Sequence, residues 1–185
     1  MVRMSRTPLS IYLEDHLAGS TGGVALARRV ASHCEGTRAA GDLVQVAEEI
    51  EADRETLKRL MSELGVHPSP VKNAAARVSE LAARLKPNGR LRGQSQMQRL
   101  HELELLSLGI AGKEALWKAL RAVPDATAPA RVDLDDLQGR ARSQRERVEA
   151  ARIMVARAAL SPDSNVHRLP DRPEAIGTAA PRDAL

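Results

Sequence analysis

Residues 42–65 read DLVQVAEEIEADRETLKRLMSELG, and residues 66–70 read VHPSP. Leu43, Val46, Ile50, Leu57, Leu60 and Leu64 recur at helical steps and share one face. Asp42 is expected to cap the start of this helix, and Gly65 supplies its stop because glycine enters the left-handed conformation freely. Pro68 and Pro70 then bar continuation, having no N–H to donate and biasing their predecessors toward extended backbone. A helix of this length with a single apolar face needs other helices to cover it, so the stretch predicts a bundle.

Working toward the N-terminus, Thr7 and Pro8 form an N-cap with proline at the first helical position, where a missing N–H is harmless. Leu9, Leu13, Leu17, Val24, Ala27 and Ala31 then follow near helical spacing until Gly36. Gly19, Gly22 and Gly23 interrupt this helix, and the reading they suggest is a close helix crossing.

Toward the C-terminus, Val71, Ala75, Val78, Leu81 and Leu85 mark a shorter helix, ended by the turn Lys86-Pro87-Asn88-Gly89. Ser95 and Gln98 form a capping box for a third long helix reaching about Leu120, apolar on most of its circumference between Leu103 and Ala111. Pro124 to Pro129 is a loop. Asp133 caps a fourth helix, with Asp136 in its first turn and Val132 and Leu137 as a hydrophobic staple. Leu134, Leu137, Ala141, Val148, Ala151, Val155 and Ala158 give that helix a narrow seam of small residues. Residues 1–160 are thus expected to form one helical domain, and 161–185, rich in Pro, Asp, Arg and Ala without a period, a disordered tail.

Composition agrees. The 185 residues include no Phe, one Tyr (Tyr12) and one Trp (Trp117), which disfavours a sheet and leaves few aromatics for stacking nucleic-acid bases. Cys34 is the only cysteine, so an internal disulfide and a four-cysteine metal site are both excluded. The N-terminal MVRMSRTPLS lacks the apolar core of a signal peptide, and no apolar run approaches the roughly 18 residues of a membrane span. A cytoplasmic location is the expectation. The net charge of +4 is modest, and the basic residues cluster only at Arg140, Arg142, Arg145, Arg147, Arg152 and Arg157. There Arg145 and Arg152 offer a possible anion-binding flank, against the plainer reading of a solvated helix face.

Loop length orders these helices. The short first and last connections demand antiparallel neighbours, and the long middle one can carry the chain back along the bundle, so that the middle two long helices run parallel. The stretches Tyr12-Leu13-Glu14-Asp15-His16-Leu17-Ala18-Gly19, Leu85-Lys86-Pro87-Asn88-Gly89-Arg90-Leu91 and Leu103-Glu104-Leu105-Leu106-Ser107-Leu108-Gly109 resemble uncharacterised bacterial ferritin-like proteins. The resemblance implies an all-α, ferritin-like four-helix bundle with a long crossover carrying a short helix between the second and third long helices. It implies no particular activity.

Ferritin-like oxidases hold two iron or manganese ions with a Glu from each of two helices and a Glu-x-x-His from each of the others. This chain contains no Glu-x-x-His; its nearest approximations are His101 with Glu104 and Glu63 with His67. The polar residues in phase with apolar stripes are His16, Asp53 and Glu104. Since buried charge must be paired, they are expected to form a polar core network, or to meet a basic partner such as Arg54. The alternative is a mononuclear iron or manganese site, since one histidine and two carboxylates can hold such an ion. Trp117 and Tyr12 are expected in the core or at its rim, with their polar tips hydrogen-bonded. No cofactor, no catalytic residue and no metal is assigned. The expected function is that of a non-catalytic scaffold acting through a protein partner or self-association. An atypical metal-binding protein or oxidoreductase is the first alternative, and nonspecific nucleic-acid association the second.

Overall fold

Thr7 Oγ1 accepts a hydrogen bond from the Ser10 N–H at 3.1 Å, satisfying one of the free donors of the helix that Pro8 begins. The computed structural model describes residues 7–66, 96–123 and 132–161, and among these the chain is helical, with no strand. Four helices result: α1 (Pro8–His33), α2 (Ala40–Glu63), α3 (Gln96–Arg121) and α4 (Leu134–Ala159). The short helix and turn expected between 71 and 89, the Ser95 cap, the loop at 124–129 and the tail beyond Ser161 lie outside the described residues.

The ends of the helices are set locally. Cys34 closes α1, and a turn through Thr37, whose N–H donates to the Cys34 carbonyl at 3.1 Å, leads directly into α2. Asp42 therefore does not cap α2. The helix has begun at Ala40, after an Ala39 with no capping side chain, and Asp42 sits in the first turn, where a carboxylate still favours the positive end of the helix dipole. At the other end Gly65 takes φ of 67°, Val66 N–H donates to Met61 C=O at 2.8 Å and Gly65 N–H to Ser62 C=O at 3.1 Å, the paired bonds of a Schellman stop. Asp133 caps α4 as expected, its Oδ1 accepting from Asp135 N–H at 3.0 Å and Asp136 N–H at 2.9 Å. Val132 and Leu137 share the same apolar cluster there.

Packing fixes the order of the helices. α3 and α4 share the most extensive interface, α1 and α2 the next; α1 also meets α3, and α2 meets α4. One apolar cluster unites the C-terminal half of α1 (Val24 to Cys34), the N-terminal halves of α2 (Leu43 to Ile50) and α3 (Leu100 to Ile110), and α4 from Ala141 to Val155. The other unites Leu13, the C-terminal ends of α2 and α3, and Leu137 at the start of α4. α2 and α3 thus run in one direction and α1 and α4 in the other, so every helix lies antiparallel to the neighbours it packs on.

The small-residue seam of α4 explains its close fit to α3: Ala141 and Ala151 are buried with Val148, although Leu134 is only partly buried and Ala158 exposed. α3 is less fully enclosed than its circumference suggests, since Leu108 stands 69% exposed. The glycines of α1 also depart from expectation. A Cβ at Gly19 or Gly23 would meet nothing within 4 Å, and the same holds for Gly109 and Gly112 on α3. No close crossing rests on these positions; they border open space.

Candidate functional site

Midway along the bundle, between the two apolar clusters, the helices contribute polar side chains. On α2 this is Asp53, one turn from Ile50 and from Leu57; on α3 it is Lys113, between Ile110 and Leu116; on α4 it is Gln144, between Ala141 and Val148. Each is spaced to share the buried face of its helix. The Asp53 side chain is 0% exposed, and Gln144 is fully buried.

These three meet. Lys113 Nζ donates to Asp53 Oδ2 and to Gln144 Oε1, both at 2.5 Å. Gln144 Nε2 donates to Asp53 Oδ2 at 3.2 Å and to Glu49 Oε2 at 3.1 Å, and Arg147 Nη2 donates to the same Glu49 oxygen at 2.5 Å. Arg140 Nε faces Asp53 Oδ1 at 3.3 Å without the alignment of a hydrogen bond. Burial holds the Lys113 ammonium below its ordinary pKa, against the attraction of Asp53. Burial pushes Glu49 upward, but the hydrogen bonds from Arg147 and Gln144 outweigh it and leave the carboxyl below its ordinary value.

A cavity of about 520 Å³ lies beside this network, walled by α1, α2 and α3, a size that accommodates a small organic molecule. Gly19 and Gly23 of α1 and Gly109 and Gly112 of α3 are in its wall, with leucine and isoleucine side chains between them. Asp53 and Lys113 form part of its polar side, as do Arg54 and His16. His16 sets its ring edge-on to Tyr12, with centroids 4.6 Å apart and planes at 75°. Burial lowers the pKa of His16, with nearby Asp15 opposing, so the imidazole favours its neutral form.

Trp117 also lines the cavity and is 1% exposed, yet its Nε1–H meets no acceptor among the described residues, contrary to the expectation for a buried indole. The Nε–H of Arg54 is likewise buried without an acceptor, while its terminal nitrogens reach Glu55 at 3.3 Å and Thr21 at 3.4 Å. Arg54 is not the partner of Asp53; Lys113 and Arg140 are.

Of the three residues singled out in the sequence, the cavity brings together His16 and Asp53. Glu104 stands apart, its side chain 44% exposed and 3.7 Å from Arg152 Nη1. Asp53 is held by Lys113 and Glu104 faces outward beside Arg152, and among the described residues no group of three or more His, Cys, Asp or Glu is placed to hold a metal ion. The arginines of α4 mostly turn to carboxylates of this chain: Arg142 and Arg145 to Glu114 at 3.3 Å, Arg147 to Glu49, Arg152 to Glu149 at 2.7 Å.

A further polar pair and a buried carboxylate with three cationic partners were not legible as sites. His33 Nδ1 and Glu102 Oε2 lie 2.7 Å apart at the end where α1 finishes, and Glu114 is buried under Lys118, Arg142 and Arg145, whose hydrogen bonds, that of Lys118 foremost, keep its carboxyl below its ordinary pKa. Cys34, beside the first pair, is a buried free thiol that burial pushes above its ordinary pKa. Gln144 had a signal: it falls three residues after Ala141 and four before Val148, on the seam itself.

Comparison with family models, with curated proteins and with solved structures finds no match for this chain. Among the described residues no helix is long and apolar enough to cross a membrane.

Proposed function

We propose that the protein is a non-catalytic, ferritin-like four-helix bundle, cytoplasmic and of the bacterial kind its sequence resembles, which works by association and seats its partner in the cavity beside Asp53. The ferritin-like reading is supported by the shared direction of α2 and α3, an arrangement that a long crossover permits. The observation that carries the function is the set of four glycines in the cavity wall. A glycine inside a helix costs about 1 kcal/mol relative to alanine. Here none adopts a positive φ, and none makes room for a packed neighbour. What they preserve is open volume, and a local rule broken without a packing gain is expected where a site is.

The chemistry of the wall supports holding over reacting. Ser20 donates its hydroxyl to the Leu17 carbonyl at 2.6 Å, His16 favours its neutral form, and Asp53 is held by Lys113. No nucleophile and base stand in contact there among the described residues.

Filling the cavity tests this. Wild-type protein is expected to bind the amphipathic, anionic dye anilinonaphthalene sulfonate saturably and to lose Trp117 emission as it does so, Trp117 being the sole tryptophan. A Gly19→Leu, Gly109→Leu variant is expected to keep its helical content and lose the dye. Dye binding that is absent in the wild type, or unchanged in the filled variant, would remove the proposal. Light scattering on the same two proteins reads whether a second copy is the partner, because only the filled variant would then be monomeric.

A further inference from the structure

The outer side of α1 lacks the polar cover that a solvent-facing helix normally carries. From Leu17 to Ala27, eleven residues, no side chain is charged, although Gly19, Thr21 and Ala25 are exposed. The stretch of α3 that packs beside it is equally bare: Leu105 to Gly112 holds no charge, and Leu108 stands 69% exposed.

The flanks of α1 are already engaged. Thr21 and Arg28 reach across to Arg54 and Glu51 of α2, while His16, Ser20 and Gly23 line the cavity on the side of α3. Between these flanks Asp15, Gly22 and Arg29 follow at steps of seven residues, on one outward line, with Ala18, Gly19 and Ala25 in the turns between them. Asp15 and Arg29 are exposed, and neither forms an ion pair within the described residues. The line thus has an acid at one end, a base at the other, and only alanine and glycine between.

We infer that α1 pairs antiparallel with α1 of a second copy, about a two-fold axis at Gly22. This register sets Asp15 opposite Arg29 of the second copy, Gly19 opposite Ala25 and Ala18 opposite Leu26, and symmetry makes each contact twice. The small side chains along the line let the two helix axes approach closely. A parallel pair would instead set Asp15 on Asp15 and Arg29 on Arg29, like charge on like. The inference rests on the association proposed above and names a second copy as the partner, on a surface beside the cavity. One pair of helices buries less than the roughly 1,200 Å² of a standard interface, so a weak dimer is expected, with a dissociation constant on the order of 0.1 mM.

Sedimentation equilibrium of the full chain at low salt, from about 10 μM to about 1 mM, reads this contact. The wild type is expected to pass from monomer to dimer across that range. Asp15→Arg and Arg29→Glu each place like charges at both ends of the contact, and each should weaken the dimer about tenfold or more with helical content unchanged. An equimolar mixture of the two single variants should regain wild-type association, because every pairing of positions 15 and 29 is again between opposite charges. The double variant should do the same by itself. A wild type that stays monomeric at every concentration would overturn the inference, and so would single variants that associate as well as the wild type or a mixture that fails to recover. Dye binding in the same samples keeps the two readings apart: a monomer that binds the dye removes this contact and leaves the cavity as a seat, whereas a dimer that binds none does the reverse.

Discussion

Asp53 remains in the middle of an apolar bundle because Lys113 and Gln144 converge on the same oxygen, and this pairing has a measurable consequence. Removing one partner of a buried ion pair leaves an uncompensated charge, which costs about 3–5 kcal/mol. Lys113→Met should therefore lower stability in urea by about 3 kcal/mol, and adding Asp53→Leu should return a good part of it; a Lys113→Met change that is neutral would mean that Arg140 alone suffices. His16 gives a second, pH-dependent effect. Its folded pKa lies below the ordinary 6.5, so as pH falls through 6.5 the unfolded chain takes a proton that the folded chain refuses, and stability declines until the folded pKa is passed. Glu49 and Glu114, both held below their ordinary 4.5, lose their contributions only at lower pH, so the two limbs separate. Urea midpoints at intervals from pH 7.5 to 5 should fall in the wild type and stay flatter in His16→Phe. Asp53 was legible in the sequence because a carboxylate between Ile50 and Leu57 has nowhere else to point. Lys113 was not, since a long lysine can follow an apolar face and still lift its charge to solvent. Glu104 looked equivalent to Asp53, but it flanks the Leu103 and Leu106 stripe on the side of Arg152, a difference of rotation that a run of leucines conceals.

At the scale of the elements, the caps and stops were largely written in the chain: Thr7-Pro8, Gly65 and Asp133 each do locally what their side chains or backbone freedom require. The start of α2 was misplaced because the turn after Cys34 supplies the helix with backbone hydrogen bonds before Asp42 is reached. The glycines of α1 illustrate a deeper limit. A helical glycine signals either a close neighbour or an open space, and only the facing helix decides which. Here the facing residues on α3 include Gly109 and Gly112, so neither side fills the gap. Alanine at these positions should accordingly do no harm to folding. Gly19→Ala and Gly112→Ala are each expected to raise the unfolding free energy by about 0.5–1 kcal/mol, through restored helix propensity and a less flexible unfolded chain, while weakening occupancy of the cavity. Calorimetric melting of the two single variants and their combination reads this directly. A loss of stability on adding these methyl groups would show that the space is filled in solution by something the variants displace, or that the helices pack closer than their backbones indicate.

For the molecule as a whole, direction is the property from which the cavity follows. α2 ends beside the start of α1, while α3 begins beside the end of α1, so residues 67–95 connect opposite ends of the bundle. The distance is set by α2 itself, whose 24 residues span about 36 Å at the helical rise. A tight loop cannot cover that: four extended residues reach about 14 Å at most. The long connection noticed in the sequence is thus a geometric necessity of two helices that run the same way, and the spacing between helical stripes was enough to foresee it. Replacing residues 67–95 by a four-residue Gly/Ser loop should destroy the arrangement, yielding either loss of cooperative unfolding or exchange of the α3–α4 hairpin between two copies, visible by light scattering. A flexible Gly/Ser linker of about 25 residues has the reach and adds little loop-closure entropy, so it should preserve a cooperative monomer. If the four-residue construction instead unfolded cooperatively as a monomer with native helix content, α2 and α3 would have to be antiparallel. Lys113 and Trp117 would then no longer share a wall with Gly19 and Gly23, and the cavity would have to be rebuilt from other faces.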